Sequence, residues 1–417
     1  MNDQEITQLL IKATKYFENN DFQNAMELLK KAHEIDPKNL LAIYNIAGIY
    51  FQEGKYQESL KYFNKALEID PNNLNATFSI SCIYDNTKQH EKAIQWAKKA
   101  LEINPKHLDS FRELVGLYNV RLKNHPNDSQ TLFDIAEAYY NWGAYDDAIK
   151  YYKQAVEINP QFSDAWNKMG KFYFIQGNID TAIKYIEKAL DVDPNNVKAL
   201  QNMGSMFAYR KEYDTALKYM NMCIELGVHS DVFYYNIAGI LFELKEFEKA
   251  ANYLEKTIEI NPDFLNTWEK LGDNYYMLKQ FNKAIECYRK ALKKDSRNDN
   301  LFFNIGAMYF ELKQYDTAID NYKAALLLNP NNPNTWNSAG VSYYELRQFQ
   351  AAIYHYKKAL EINPNQSYVL KNMAAVYDTM GDSKTAIKLF KKAAKINPHD
   401  NTISSFISDI KNKRKKK

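Results

Sequence analysis

The side chains with the chemistry to hold a ligand are arranged in columns and do not gather into one centre. Four aromatic pairs, Tyr44 with Phe51, Phe133 with Tyr140, Tyr235 with Phe242 and Phe303 with Phe310, are each spaced by seven residues, which puts both rings on one face of a helix. Phe17, Phe174, Tyr276 and Tyr344 repeat the second member of the pair. Rings in such a row grip apolar side chains, each contact contributing about 1 kcal/mol; the same rings also serve packing between neighbouring helices. A second column holds Asn45, Asn202, Asn236, Asn304 and Asn372, interrupted by Ser79, Asp134, Lys168, Lys270 and Ser338. A side-chain amide donates and accepts at once, so it can satisfy the backbone of a bound peptide whatever that peptide's sequence.

Chemistry of the bond-breaking kind has no comparable signature. The chain contains no Gly-rich phosphate loop, no H-E-x-x-H, no Cys-x-x-Cys and no nucleophile elbow. Its seven histidines are scattered, with His107, His125 and His399 beside turn-forming prolines and His90 opening a helix. Cys82, Cys223 and Cys287 lack metal-ligand spacing and read as reduced thiols of a cytosol-like compartment. The expectation is a non-enzymatic chain that requires no cofactor and no metal.

The elements that carry the columns follow from a period of 34. Pro37, Pro71 and Pro105 are each 34 residues apart, Pro160, Pro194 and Pro262 share a second phase, and Pro330, Pro364 and Pro398 continue it; Val228 and Ser296 stand in the gaps. Proline cannot occupy a helix interior and drives the residue before it out of the helical region, so each one closes a unit. At Val228 the preceding Gly227 supplies a left-handed cap instead. A fixed period of this length marks one supersecondary element that buries its apolar face only by stacking on its neighbours.

In the unit Asp299 to Asn332, the residues Phe302, Ile305, Gly306, Tyr309, Tyr315, Ala318, Tyr322, Ala325 and Pro330 resemble the tetratricopeptide repeat (TPR), a helix-turn-helix family. The pattern recurs as Trp336, Gly340, Tyr343, Phe349, Ala352, Tyr356, Ala359 and Pro364, and eleven units match over about nine tenths of the chain. The resemblance implies an all-α, right-handed α-solenoid whose first helices line a concave groove that binds ligand. Over the columns facing that groove, Glu18, Asp85, Asp109, Glu137, Asp164, Glu243, Glu269, Asp273, Glu311, Glu345 and Asp378 outnumber Arg112, Lys171, Lys198 and Lys371. A cleft lined by one sign concentrates the field, so the expected partner is a protein or peptide carrying Lys or Arg, and nucleic acid is not expected in the groove. No three successive units carry the Lys, Asn and Arg combination with which some family members clamp a terminal carboxylate.

The expected organisation is a block of three repeats at 1–107, a truncated single-helix unit with a possible kink at 108–128, eight repeats at 129–400, and a capping helix with a basic tail at 401–417. The capping helix would lay Ile403, Phe406, Ile407 and Ile410 on the last repeat. Six cations among Lys411–Lys417 offer an alternative attachment to nucleic acid or an anionic membrane, and self-association of repeats is another. Asp3 and Glu5 stand where a signal peptide would be basic, and no apolar run approaches membrane-spanning length, so the reading is a soluble, intracellular, cytoplasmic protein. The net charge of +3 gives no global pull toward a polyanion.

Overall fold

The computed structural model describes residues 2–264 and 266–415, with side chains from 3 to 410; the basic run Lys411–Lys417 lies outside the described side chains. Among the described residues there are twenty-four helices and no strand. They form two compact units, Met1–Met206 and Phe207–Lys417. The first holds α1 (Asn2–Glu18), α2 (Phe22–Ile35), α3 (Leu40–Gln52), α4 (Tyr56–Ile69), α5 (Leu74–Asn86), α6 (His90–Ile103), α7 (Leu108–Asn124), α8 (Ser129–Trp142), α9 (Tyr145–Ile158), α10 (Ser163–Ile175), α11 (Ile179–Val192) and most of α12 (Val197–Tyr209). The second holds α13 (Tyr213–Glu225), α14 (Asp231–Glu243), α15 (Phe247–Ile260), α16 (Thr267–Met277), α17 (Phe281–Lys294), α18 (Asp299–Glu311), α19 (Tyr315–Leu328), α20 (Pro333–Glu345), α21 (Phe349–Ile362), α22 (Ser367–Thr379), α23 (Ser383–Ile396) and α24 (Asn401–Lys415).

Each repeat is written by the same local physics. With positions counted from Leu40 and its equivalents, the residue just before the first helix caps it in most repeats: the side chain of Asn39 accepts from the Ala42 N–H at 3.0 Å, and Asn73 does the same for Ala76 at 3.0 Å, whereas Phe162 before α10 and Gln366 before α22 make no such bond. The turn between the two helices needs one left-handed residue, at position 15. Gly54, Gly143, Gly177 and Gly381 supply it without strain, whereas Lys88, Lys211, Lys245, Lys279, Lys313 and Arg347 are held there at φ of 56° to 62°. Gly227, at φ 84°, closes α13 as its sequence position implies, and the Val228 N–H behind it donates to Cys223 O at 3.0 Å.

Close approach of the paired helices is set at position 8. A β-carbon built on Gly170 would stand 2.5 Å from Ile186, and one on Gly272 or Gly340 would stand 2.6 or 2.7 Å from Tyr288 or Tyr356. The space an alanine would need is already filled by the large residue at position 24 of the partner helix.

α7 is followed directly by α8, with no second helix of its own. It is held from both sides: Leu114, Leu117 and Tyr118 are buried with Ala93, Ile94 and Ala97 of α6 and with Ile135 and Ala138 of α8. Phe111 stacks on Trp142, with centroids 4.6 Å apart and planes 14° apart. At the other end α24 buries Ile403 and Ile410 against Leu370, Ala374 and Phe390. Phe406 lies on the same apolar face but is only partly covered. It stays 48% exposed because one side of its ring stacks on Phe390, with centroids 5.4 Å apart, while the other borders an open cleft.

Candidate peptide-binding groove

Two clefts, one in each compact unit, are lined by the same positions of the repeat. In the first unit a cleft of about 390 Å³ opens on α3, where Tyr44, Asn45, Gly48, Phe51 and Gln52 (positions 5, 6, 9, 12 and 13) form its wall. Phe17 closes it from position 12 of α1, Ser79 and Cys82 from positions 6 and 9 of α5, and Phe63 lies at the base from α4. In the second unit a cleft of about 820 Å³ opens on α22, with Lys371, Asn372, Ala375, Asp378 and Thr379 at the same five positions and Tyr344 at position 12 of α20. Here Phe390 forms the base, and Phe406 and Asp409 of α24 complete the far wall. Phe406 stands at the position that carries the asparagines elsewhere.

The structure thus brings Tyr44, Asn45 and Phe51 together and puts Asn372 in the second cleft. Phe133, Tyr140, Asn202, Tyr235, Asn236, Phe242, Phe303, Asn304, Phe310 and Glu311 hold the equivalent positions on α8, α12, α14 and α18. The rings have two duties. Each is half-buried and leans on an aromatic neighbour, Tyr44 on Phe63 at 5.4 Å, Phe133 on Tyr152 at 5.6 Å, Tyr235 on Phe264 at 5.4 Å and Phe303 on Tyr322 at 5.7 Å. The second member always meets the ring that opens the second helix, as in Phe51 with Tyr56, Tyr140 with Tyr145, Phe242 with Phe247 and Phe310 with Tyr315. One edge of each ring therefore packs the repeat and the other remains available.

The asparagine column is partly occupied within the chain. Asn202 donates to Asn167 Oδ1 at 2.8 Å and Asn372 to Asn337 Oδ1 at 3.0 Å, each linking position 6 of one repeat to position 5 of the repeat before it. Asn236 is exposed, and Asn45 and Asn304 are partly so.

Several of the carboxylates are likewise engaged. Glu137 accepts from Lys168 at 2.6 Å and from the Tyr152 hydroxyl; Asp273 accepts from the Tyr288 hydroxyl at 2.9 Å, with Lys270 at 3.8 Å. Asp85 meets the His90 ring at 3.0 Å, and on the cationic side Lys371 is held by Asp400 at 2.7 Å. Burial raises the carboxyls of Asp273, Glu269 and Glu113 above the ordinary range. What remains open is position 13, where Glu18, Glu243, Glu311 and Glu345 are exposed and make no ion pair among the described residues. Each follows a position-12 ring, so an aromatic edge and a carboxylate lie side by side.

Sequence reasoning missed the floor. Position 9 is Gly48, Cys82, Gly239, Ala307 or Ala375 in different repeats, and a β-carbon built on Gly48 or Gly239 meets nothing within 4 Å. The two glycine columns, one residue apart, thus have opposite surroundings. Burial, with Glu113 nearby, pushes the Cys82 thiol up to about 12, so it lines the first cleft as an unreactive small group.

Stacked helical pairs presenting repeated first-helix clefts define a helical-repeat scaffold. Profiles of the tetratricopeptide repeat match residues 39–106, 119–163, 142–206, 272–312, 306–347, 333–366 and 355–388, and the chain belongs to that family of protein-interaction repeats. A profile of the anaphase-promoting complex, cyclosome, subunit 3, also matches residues 1–66 and 175–257. Comparison with curated protein sequences gives no match. Among solved structures, the C-terminal part of a TPR repeat-containing protein from Cytophaga hutchinsonii is 17% identical over 57% of this chain and 98% of its own, with a TM-score of 0.50. Yeast Tom70 is 16% identical, with 100% and 97% coverage and a TM-score of 0.39. YrrB, described as a TPR protein with an unusual peptide-binding site, is 21% identical over 46% of this chain and 97% of its own, with a TM-score of 0.39. No helix among the described residues is long and apolar enough to cross a membrane.

Proposed function

We propose that this protein is a non-enzymatic scaffold that holds an extended segment of a partner protein along its first helices, through position-5 and position-12 rings, position-6 amides and position-13 carboxylates. The observation that carries the reading is the recurrence of one lining register in two clefts belonging to separate compact units. The open carboxylates Glu18, Glu243, Glu311 and Glu345 favour a segment that alternates apolar residues with Lys or Arg, and disfavour nucleic acid in the groove. Affinity comes from many weak contacts, each satisfied by a different repeat. The three free thiols fit a reducing, cytoplasmic setting.

Fluorescence anisotropy with two peptide series, apolar residues alternating with Lys and the same residues alternating with Glu, tests this directly. The lysine series binds and the glutamate series does not; equal binding by both, or by neither, overturns the proposal.

A further inference from the structure

α23 differs from every other second helix of the array. The other ten, from α2 to α21, each contain at least one Asp or Glu, whereas Ser383–Ile396 contains none and carries Lys384, Lys388, Lys391, Lys392 and Lys395. These five are spaced at i, i+4, i+7, i+8 and i+11, so they share one face opposite the buried Ala386, Phe390 and Ala393, in a row about 16 Å long. All five are exposed, and none of their ammonium groups makes a hydrogen bond, ion pair or ring contact among the described residues, although Lys384 lies near the Asp382 carboxylate. Lys395 stands where Glu259 and Glu361 stand in α15 and α21.

The comparison with α17, the next most cationic helix, separates a solvated lysine row from a packed one. On α17, Lys290 lies 4.0 Å from the centroid of Trp268, Lys283 lies 5.0 Å from that of Tyr275, Arg289 donates to the Tyr309 hydroxyl at 2.8 Å, and Lys294 donates to Asp263 O. Four of its five cations are thus engaged by the protein's own rings, a hydroxyl and a carbonyl, and Lys293 alone is solvated. Those of α23 are not so engaged.

Charge is also divided along the chain. Residues 384–417 contain eleven cations against Asp400 and Asp409, a net of +9, which leaves −6 on the other 383 residues of a chain whose total is +3. A polyanion is therefore attracted to this segment and repelled by the rest.

We propose that the lysine face of α23 is a docking surface for an anionic lipid bilayer. The row is made of lysines alone, with neither the arginine forks that recognise nucleic-acid phosphates bidentately nor an exposed ring on the helix for a base to stack on. A straight ridge of point charges suits a diffuse, planar layer of headgroups, near which each lysine adds its own increment of attraction.

The test is flotation of the full chain with vesicles of phosphatidylcholine alone and with about a third phosphatidylserine. Wild-type protein floats with the anionic vesicles only, and less as salt rises. The variant K388Q/K391Q/K392Q/K395Q, with the C-terminal run intact, loses about tenfold or more of the partitioning. A second variant, with the cations of Lys411–Lys417 changed to Gln and α23 intact, floats less than wild type but still partitions onto the anionic vesicles and not onto phosphatidylcholine alone; loss of all its flotation also overturns the proposal. Circular dichroism on both checks that the helices persist. Equal flotation of the α23 variant and wild type, no flotation of wild type, or binding of wild type to duplex or single-stranded DNA without binding to vesicles each overturns the proposal.

Discussion

Gly306 lies against the edge of Tyr322, so closely that a β-carbon on Gly306 would stand 2.7 Å from the ring and 3.2 Å from Ala318 O. Tyr322 is 2% exposed and backed by Ala318 and Ala339, so it has nowhere to move. Gly306→Ala is expected to destabilise the protein by about 1–3 kcal/mol despite its better helix propensity. Gly239→Ala, one repeat position further on, meets open space and gains about 1 kcal/mol from propensity alone. Urea denaturation of the two variants gives midpoint shifts of opposite sign if position 8 packs the repeat and position 9 does not.

Lys245, Lys279 and Lys313 sit at φ of 61°, 58° and 60° in the turns before α15, α17 and α19. A side chain in the left-handed region crowds the following carbonyl, which glycine avoids. Replacing all three by Gly is expected to raise stability by about 0.5–1 kcal/mol at each site, read as a rise in the thermal midpoint, whereas Gly54→Lys in the turn before α4 lowers it.

These turns also show where the sequence could and could not be read. The helical pairs, the proline closures and the position-5, 6 and 12 columns repeat as residue types, so a period of 34 exposes them. The left-handed turn residue is invisible in the same way, because Lys, Arg and Gly fill it interchangeably and only backbone geometry unites them. The cleft floor escapes for the same reason, since Gly48, Cys82 and Ala375 share smallness and not chemistry. The bonds from Asn202 to Asn167 and from Asn372 to Asn337 span 35 residues, one more than the period, so column-by-column reading passes over them.

Glu113 occupies position 6 on α7, where Oε1 is buried without a hydrogen-bond partner. Burial, and then the neighbouring Asp85, raises its carboxyl in the folded state. A raised folded value means the native state binds the proton more tightly than the unfolded chain. The stabilisation is fully present below the ordinary carboxylate range and is lost as pH rises through the folded value. Glu113→Gln is therefore expected to be more stable than wild type at pH 7, by less than about 1 kcal/mol because the group keeps some contact with water. The difference should vanish near pH 4. Thermal midpoints of both proteins across that range check the sign.

The groove rings cannot be tested by truncation alone. Changing Tyr235, Phe242, Phe303 and Phe310 together to Ala removes any grip on a partner, but it also removes the contacts with Phe264, Phe247, Tyr322 and Tyr315. Large half-buried side chains lost in this way cost about 2–4 kcal/mol apiece, so weakened binding in that variant could reflect a loosened second unit. Filling the floor separates the two effects. Gly239→Leu on α14 projects into space with nothing within 4 Å of its β-carbon, next to Tyr235, Asn236 and Phe242, and leaves all four ring contacts in place. Its thermal midpoint is expected to equal or exceed wild type, while its affinity for the apolar and lysine peptides falls about tenfold through exclusion of the backbone from the groove. Undiminished affinity in Gly239→Leu would show that the peptide runs elsewhere, since the substitution blocks the line between the position-5 and position-12 rings without disturbing either.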